Sequence, residues 1–481
     1  MRDEGSNPLA VCLGFDIHYP CYLNPGFQPD LVKGKRNPES SYFNPNMKGD
    51  LGRVIDRSFR PATEILLDLL DGGFRCALSI SGVMVEHLEL WYPETLELIS
   101  RAATHQNTEV LATTYYHSVA GQFSDLTEFM DEFTLHRDLM KEHFATVPTT
   151  FAHTDHPITP ATAGALADAG IKAVIIDGSG HPAPENDPNH IYTYHGLPVL
   201  VTHCDLADDI AVRFPRREWD RWPLMADQYA KWLAASPGDC ITLFLDYRIF
   251  GDVIDPATGI LEFLRALPSA LAAEGITAVH PSEAARLTPH AEIGKAAAPP
   301  GQQRTILQQS ALEALEQAGG LVTDPEIWRC LLDTDHLRRM AMRSPSCGRP
   351  LHIVSHQATY DHFASFMRIL SYAEERSAAG TRSRKSALAL RCVPPEKAFS
   401  FSSHERPTGY AAHSLQELAD MLEFVPDDVI RYHVERDDFS RWVDQVIGDK
   451  ELAGKIRGVS GRIRLQSTIQ KRIGKLWKRL S

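Results

Sequence analysis

The sequence predicts an α/β protein built on a parallel barrel, followed by mostly helical units. Between residue 10 and about residue 285, short β-rich runs alternate with helix-like stretches, a pattern typical of parallel strands joined by crossover helices. Polar and titratable residues recur at the points where these runs end, and the carboxyl ends of barrel strands build the active site of such folds. With 43% hydrophobic and 23% charged residues, the composition is globular and excludes disorder as the main state.

Eight β-rich runs are the predicted strands, and helix-like stretches with helix-start signals lie between several of them. The predicted strands are Val11–Ile17, Phe74–Ile80, Glu109–Tyr115, Thr149–Ala152, Lys172–Ile176, Pro198–Thr202, Cys240–Leu245 and Thr277–Val279. The clearest predicted helices are Ala62–Leu70, Leu126–Phe144, Thr162–Ala169, Ala226–Leu233 and Ile260–Ala273. This number of strands indicates a barrel rather than an open sheet.

Each predicted strand is followed by residues that can carry chemistry. They are Asp16, His18, Ser79, Ser81, Tyr116, His117, His153, Asp155, Asp177, His203, Asp205, Asp246 and His280. Any one of them could be a turn former, but their recurrence at every strand end predicts an enzyme-like pocket.

The remainder of the chain is expected to be helical. Apolar residues at helical spacing follow a break rich in Pro, Ala and Gly near residue 300. We predict a barrel domain over residues 1–295, a helical subdomain over 301–377, a linker over 378–396, a small mostly helical domain over 397–459 and a basic tail over 460–481. The tail allows an amphipathic helix, for which a solvated tail is favoured over a membrane or polyanion contact.

Charge and composition also narrow the partners and the compartment. The net charge of −13 disfavours nucleic acid as the main ligand. The amino terminus does not resemble a signal peptide, and no run of eighteen apolar residues occurs, so we expect a cytoplasmic protein without a transmembrane segment. The eight cysteines form no Cys-x-x-Cys pair, and Cys12, Cys76, Cys204 and Cys240 lie in apolar runs. We therefore expect them to be buried thiols.

Two aspartates at strand ends, Asp155 and Asp246, match the requirement of glycoside hydrolysis for a pair of carboxylates facing one pocket. One carboxyl group protonates the leaving oxygen while the other attacks the sugar or activates water. Whether the two side chains lie close enough for this chemistry depends on the fold.

Several segments together resemble glycoside hydrolase family 57, in particular its α-amylase-like branch, over most of the first 370 residues. These segments are residues 78–86 (LSISGVMVE), 114–118 (TYYHS), 208–214 (DDIAVRF) and 243–247 (LFLDY) followed by Phe250-Gly251. The resemblance implies an incomplete seven-stranded (β/α) barrel followed by a helical bundle. It also implies retaining hydrolysis or transfer on a storage α-glucan or maltooligosaccharides, with no obligatory metal or other cofactor.

By position, the resemblance makes Asp246 the acid/base and Asp155 the nucleophile. It also gives a substrate-binding role to residues in or beside these segments and in two further segments that resemble family blocks, residues 18–20 (HYP) and residues 335–336 (DH). These are His18, Tyr115, Tyr116, His117, Arg213, Tyr247, Asp335 and His336. For Arg213, a salt bridge with Asp208 or Asp209 is an equally good interpretation.

The chain departs from the family pattern at three acidic positions. Asp155 stands where the family has glutamate, Thr113 precedes the Tyr-Tyr-His segment in place of glutamate, and Arg248 replaces a glutamate after Asp-Tyr. An arginine close to Asp246 would favour its ionised form, which opposes a role as general acid.

Two other functions therefore remain open. The first is a non-catalytic α-glucan-binding or regulatory protein, with Tyr115, Tyr116, Trp219 and Trp222 as stacking platforms. The second is a metal-dependent, deacetylase-like sugar hydrolase, because several imidazoles and carboxylates could bind zinc. Its candidate ligands are Asp16, His18, His117, His153, Asp155, His156 and His203.

Overall fold

The computed structural model describes residues 9–32, 39–153, 158–179, 187–293, 304–344, 347–381, 383–403 and 406–480. Within these ranges, the amino-terminal region contains ten strands. They are β1 (Ala10–Ile17), β2 (Cys76–Ile80), β3 (Thr108–Leu111), β4 (Thr150–Ala152), β5 (Ala173–Ile176), β6 (Ile191–Tyr194), β7 (Leu197–Val201), β8 (Cys240–Asp246), β9 (Thr277–Ala278) and β10 (Ala291–Glu292).

Seven of these strands form a parallel ring. One sheet has the order β3-β2-β1-β8, and the other contains β7-β5-β4. Two isolated parallel bridges join the sheets, Ala112 with Phe151 beside β3 and β4, and Thr202 with Thr242 beside β7 and β8. The ring confirms the predicted barrel. The eighth predicted strand, β9, pairs only with the first two residues of β1, and the antiparallel β6 was not predicted.

Helices surround the ring, and the predicted ones are present with small changes at their ends. They are α1 (Pro29–Val32), α2 (Met47–Val54), α3 (Arg60–Asp71), α4 (Gly82–Trp91), α5 (Pro93–Ala103), α6 (Thr127–Phe144), α7 (Pro160–Asp168), α8 (Cys204–Asp208), α9 (Ala226–Ala235), α10 (Ile260–Ala273) and α11 (Pro281–Ala284).

Alternation along the strands decides which side chains face the barrel interior. In β1, the odd-numbered Val11, Leu13 and Phe15 pack outward in the large core with the surrounding helices, whereas Ala10 and Cys12 belong to a small interior core. Gly14 faces inward as well, where the ring of Phe244 leaves no room for a side chain: a Cβ would lie 2.6 Å from Phe244 Cδ2. The same parity therefore brings Asp16 and His18 to the carboxyl end of the interior.

A helical region follows the barrel. It contains α12 (Ile306–Ala318), α13 (Pro325–Leu331), α14 (Thr334–Arg339), a short hairpin of β11 (Arg343–Ser344) and β12 (His352–Ile353), the long α15 (His356–Ala379) and α16 (Arg384–Leu390). Helices α12 to α15 share a core with α6, α7 and strands β5 to β7, so this region packs directly on the barrel.

A third core holds the carboxyl-terminal unit. This unit comprises the hairpin β13 (Phe399–Ser403) and β14 (Arg406–Ala412), followed by α17 (Leu415–Phe424), α18 (Asp427–Glu435), α19 (Asp438–Trp442), α20 (Lys450–Ile456) and α21 (Arg462–Trp477). The segment predicted as a linker contains α16, whose Ala387 and Leu390 are buried in this core. The basic tail contains α21, whose apolar stripe packs against α17 rather than facing solvent. The prediction of a solvated tail is therefore wrong, because the stripe has an intramolecular partner.

Two further findings concern the expectations about membranes and cysteines. No helix among the described residues is long and apolar enough to span a bilayer. Cys12, Cys76 and Cys240 are buried thiols as predicted, but Cys204 is disulfide-bonded to Cys347 across 143 residues of sequence. The expectation for Cys204 is wrong because its partner comes from the helical region, which the local apolar pattern could not indicate.

Candidate active site

The candidate active site lies at the carboxyl ends of β1, β2 and β8. Asp16 and Asp246 are register partners at the ends of β1 and β8, and both side chains face the interior. Ser81, the N-cap of α4, follows β2 on the same side. His117, from the loop after β3, has a positive φ of 56°. Within hydrogen-bonding distance of these residues, the start of α14 contributes Asp333 and Thr334.

Two histidines form the deep part of the site. The rings of His18 and His117 stack with their centroids 4.3 Å apart and an angle of 11° between the planes. His18 Nε2 lies 3.0 Å from Asp333 Oδ2, and His117 Nε2 lies 3.0 Å from Asp16 Oδ2. Each Nδ1 contacts a hydroxyl, Ser81 Oγ at 2.8 Å and Thr334 Oγ1 at 2.9 Å. Both ring nitrogens of each histidine therefore have a partner, although both rings are buried.

Neighbouring charged groups shift the pKa values of His18 and Asp16. Burial opposes a charged His18, but the carboxylates of Asp333, Asp16 and Asp335 together outweigh burial and raise the pKa of His18 above its usual value. Burial likewise opposes a charged Asp16, and the neighbouring His117 and Arg349 lower the pKa of Asp16 well below its usual range. His18 and Asp16 are therefore held in their charged forms, each hydrogen-bonded to a partner in the site.

A divalent metal does not fit the histidine pair as it stands. Ligand atoms of His18, His117 and Asp333 all lie within 4.8 Å of one another. However, an imidazole binds a metal through a lone pair in its ring plane, and two nearly parallel stacked rings direct their lone pairs alongside each other rather than toward one point. Each Nε2 is also hydrogen-bonded to a carboxylate. The geometry is that of two His–Asp pairs.

Asp246 forms an ion pair with Arg248. Arg248 Nε lies 3.0 Å from Asp246 Oδ1 and Nη2 lies 2.6 Å from Oδ2, and the Arg248 backbone N–H donates to Oδ1 at 2.9 Å. This bidentate fork is the strongest arrangement for an arginine and a carboxylate. Arg248 also donates to the hydroxyl of Tyr22 at 3.1 Å and lies 4.0 Å from Asp335.

A cavity of about 250 Å³ opens over this ion pair. It is lined by Tyr22, Asp246, Arg248, Asp252, Val253, Asp335, Arg338, Arg339, Arg349, Pro350, Leu351 and His352. Burial opposes ionisation of Asp335, but Arg248 and Arg338 reverse the effect and lower the pKa of Asp335 well below its usual range. The guanidinium of Arg339 lies 4.5 Å from the centroid of the Tyr22 ring. Charged groups of both signs thus face a polar cavity, which suits a ligand rich in hydroxyl groups.

A second cavity, of about 480 Å³, continues along α15 and shares Arg339 and His352 with the first. His352 and His362, which line it, each have a buried Nε2 without a hydrogen-bond partner. Burial lowers the pKa of both imidazoles. The two cavities therefore share a wall at Arg339 and His352, and the first of them lies beside Asp246.

The structure brings together some of the residues predicted for the site. Asp246 and Asp335 line the first cavity, and His18 and His117 lie directly beneath it. Asp155, the predicted nucleophile, and His156, a predicted metal ligand, lie outside the described residues. Asp155 follows β4 by three positions in the sequence.

Three predicted substrate contacts lie elsewhere. Tyr247 is fully buried, with its hydroxyl 3.2 Å from Thr63 Oγ1, because the residue after inward-facing Asp246 faces the opposite side of the strand. Arg213 pairs with Asp209 at 2.5 Å, as the alternative interpretation expected. His336 is buried and donates from Nε2 to the carbonyl oxygen of Cys330.

The predicted tyrosine platforms also lie away from the two cavities. Tyr115 and Tyr116 are buried in a small cluster with Cys21 and Val83. The hydroxyl of Tyr115 donates to Glu86 at 2.6 Å. These two rings therefore present no open face for stacking on a sugar at Asp246.

Sequence reasoning missed Asp333 and Arg349. Asp333 stands two positions before the predicted segment Asp335-His336, and that segment does not extend far enough to include it. Arg349 gives no local signal, because its place in the site depends on the fold of residues 347–350 over β8. Its Nη2 lies 3.4 Å from both Asp16 Oδ2 and His117 Nε2.

Comparison with known proteins identifies a family model, a curated relative and a solved structure that this chain resembles. A curated relative described as a candidate α-amylase of Methanocaldococcus jannaschii is 32% identical over 290 residues, which cover 59% of this chain and 61% of the relative. The chain thus spans less than two thirds of the length of that relative. A branching enzyme of the family 57 type from the archaeon Pyrococcus horikoshii has a similar fold, with a TM-score of 0.51 and 11% identity over 79% of this chain and 90% of that one. The model of "Glycosyl hydrolase family 57" matches residues 12–297, more than half of the sequence, and the chain therefore belongs to that family.

Proposed function

We propose that the protein is an α-glucan-active glycoside hydrolase or glucanotransferase of family 57 that acts with net retention. The observation that carries this proposal is the position of Asp246. It is the last residue of β8, its side chain faces the barrel interior, and it lines the first cavity, in a chain that belongs to this family. Asp246 is the proposed acid/base, and Asp155, after β4, is the proposed nucleophile. Maltooligosaccharides or storage α-glucans are the proposed substrates.

In this mechanism Asp246 must be released from Arg248 before it can donate a proton to the leaving oxygen. Asp335 offers the guanidinium another partner, since Arg248 Nη2 already lies 4.0 Å from Asp335 Oδ2. A small rotation of Arg248 toward Asp335 pairs the guanidinium with the other carboxylate, and Asp246 takes up a proton from water in the cavity, so that neither group is left as an unpaired buried charge. Substrate entering the cavity would drive this exchange and leave Asp246 facing the glycosidic oxygen.

The remaining proposed contacts to the sugar come from the cavity walls. Asp335, Tyr22 and His352 offer acceptors and donors that match sugar hydroxyl groups. Beneath the cavity, His18 and His117 keep the carboxylates of Asp333 and Asp16 in place. Their proposed role is to support the site rather than to transfer protons.

Turnover of maltoheptaose by the purified protein tests the proposal, with and without a chelator. We expect hydrolysis or transfer that is indifferent to the chelator, with first-formed products of retained configuration by NMR. Asp246→Asn should lower kcat by about 10²- to 10⁴-fold. Asp239→Asn is the matched control, because Asp239 precedes the same strand at its opposite end and pairs with His190; this variant should retain wild-type turnover.

Two results would contradict the proposal. Tight binding of maltoheptaose by the wild type without any turnover would indicate a binding protein. Release of acetate from acetylated oligosaccharides that stops on addition of a chelator would indicate a metal-dependent deacetylase.

A further inference from the structure

A short segment of the helical region, residues 347–350, crosses the carboxyl end of β8 and is tied there by three contacts; we call it the strap. The disulfide joins Cys347 to Cys204 at the start of α8. The N–H of Asp246 donates to the carbonyl oxygen of Gly348 at 3.0 Å, and the N–H of Gly348 donates to Asp208 Oδ1 at 2.9 Å. The strap is therefore attached to the strand that carries the proposed acid/base.

The strap lies directly on the strand. Gly348 has a φ of +82°, and a Cβ at this position would lie 2.1 Å from the carbonyl oxygen of Phe244. Only glycine allows such a close approach. As a result, the next residue of the strap enters the site at a fixed depth.

That next residue is Arg349, and its side chain separates the first cavity from the histidine pair. Arg349 lines the cavity, whereas Asp16, His18 and His117 are buried and do not line it. Its guanidinium lies 3.4 Å from Asp16 and from His117, and the side chain is only 10% exposed. While the strap is in place, a ligand in the cavity meets Arg349 instead of the groups beneath it.

The disulfide itself can be reached by a reagent from one side. Cys204 is half-buried, whereas Cys347 is buried, so an incoming thiolate meets the Cys204 sulfur first. The sequence predicts a cytoplasmic protein, and in that compartment disulfides are rare and usually redox-sensing or catalytic. A disulfide that fastens a side chain into a candidate active site is well placed to sense redox state.

We propose that the Cys204–Cys347 disulfide is a redox-controlled tether that closes the site with Arg349, and that its reduction by a dithiol opens the route from the cavity to Asp16 and His117. A thiolate of the dithiol attacks Cys204 Sγ, the bond between the two cysteine sulfurs breaks, and Cys347 leaves as a thiolate that takes up a proton. The second thiolate of the dithiol then resolves the mixed disulfide and releases Cys204. Two electrons pass from the dithiol to the protein, and an oxidised dithiol reverses the exchange.

This inference rests on the proposed function only in naming the activity that is regulated. The opening itself can be measured without turnover. We expect dithiothreitol to accelerate hydrogen exchange of the Asp246 and Gly348 amides, and carbethoxylation of His117 by diethyl pyrocarbonate, by about tenfold or more. If the proposed function holds, turnover of maltoheptaose should rise by a similar factor.

Two variants distinguish the tether from a general effect of reductant. Cys347→Ser should show fast exchange and fast carbethoxylation with or without dithiothreitol. Cys392→Ser removes a buried thiol elsewhere but leaves the tether intact, so this variant should respond to dithiothreitol as the wild type does. Mass spectrometry of the Cys204–Cys347 peptide confirms the redox state in each sample.

The outcomes separate the two proposals. Complete reduction without any change in exchange or carbethoxylation overturns the tether. Opening of the strap with active protein whose turnover does not change overturns the regulation. Opening of the strap with no turnover in either redox state supports the tether and contradicts the hydrolase function instead.

Discussion

The candidate site has a deep half, around His18 and His117, and a cavity half, around Arg248, and the charged groups of the two halves differ in how fully they are paired. In the deep half, each histidine is bonded at both ring nitrogens, and His18 and His117 stack without space for a ligand. In the cavity half, Arg248 contacts three different side chains and stands beside open space. The comparison teaches that, among the described residues, the deep half has no group free to rearrange while the strap is in place, whereas the cavity half can rearrange around a substrate.

The largest expected effect on stability comes from removing a carboxylate from the deep half of the site. Asp333→Ala removes the carboxylate beside His18 and leaves a buried, charged imidazole without its partner, which should lower the free energy of unfolding by about 3–5 kcal/mol. Urea denaturation at pH 7 measures the change. Asp333 also caps α14 by accepting from the Asp335 N–H, so Asp333→Asn serves as the control that keeps a capping side chain.

For comparison, Asp335→Asn at the cavity should cost less than half as much in the same experiment. Its side chain is partly exposed at 14%, and Arg248 retains Asp246 as a partner. Equal losses at the two positions would show that the cavity half is as fixed as the deep half.

The second prediction concerns the arginine fork. Arg248→Gln frees Asp246 from its ion pair, so if Asp246 is the acid, turnover of maltoheptaose near pH 6 should rise about tenfold. Initial rates between pH 5 and 8 measure the effect. The double variant Arg248→Gln/Asp246→Asn should be as inactive as Asp246→Asn alone. A fall in turnover with unchanged stability would mean that Arg248 binds substrate.

The third prediction follows from the raised pKa of His18. A cation with a pKa raised by folding stabilises the protein fully below its unfolded value, about 6.5, and this contribution is lost as the pH rises through the higher folded value. The stability advantage of the wild type over Asp333→Asn should therefore shrink as the pH rises through the range above about 6.5. Urea denaturation of both proteins across this range tests it.

Only the difference between the two proteins reports on His18 in that experiment. Burial raises the pKa of Glu132 and of Glu374 to about 8. These carboxyl groups also weaken the fold as the pH rises from about 4.5 to 8, because folding then opposes their ionisation. They are present in both proteins and cancel. A difference that grows with pH would contradict the prediction.

The smallest effect is expected at Tyr115. Removing its hydroxyl in Tyr115→Phe breaks one hydrogen bond to Glu86 and should cost about 1 kcal/mol of stability. Binding of maltoheptaose, measured by calorimetry, should change by less than about twofold, because the ring does not line either cavity. A clear loss of affinity would restore Tyr115 as a substrate contact.

The barrel could be predicted from the sequence because the residues that form each strand are neighbours in the chain. Each strand is an apolar run of the right length, and Asp16, His18 and Asp246 stand where those runs end. The alternation within a strand could have excluded Tyr247 as well, since adjacent residues face opposite sides. The prediction for Tyr247 fails because it assigns the whole segment of residues 243–247 to the site, although only the inward-facing positions of a strand can reach the cavity.

The partners of these residues could not be predicted in the same way. The bond between His18 and Asp333 spans 315 positions, and that between Arg349 and Asp16 spans 333. No local pattern encodes such pairs, because they depend on how the helical region packs on the barrel. The cavity, the strap and the disulfide all lie at this junction, and all three became visible only in the structure.

The two bridges that complete the ring bear on the proposed catalytic pair. Asp246 ends a strand of one sheet, while Asp155 follows a strand of the other in the sequence, and among the described residues single bridges connect the sheets at Ala112 with Phe151 and at Thr202 with Thr242. The separation of the strand ends that precede the two aspartates in the chain is therefore set where the two sheets meet rather than inside either sheet. An aspartate is shorter than a glutamate by one bond of roughly 1.5 Å, so if Asp155 is the nucleophile, the packing of one sheet against the other would have to make up that length.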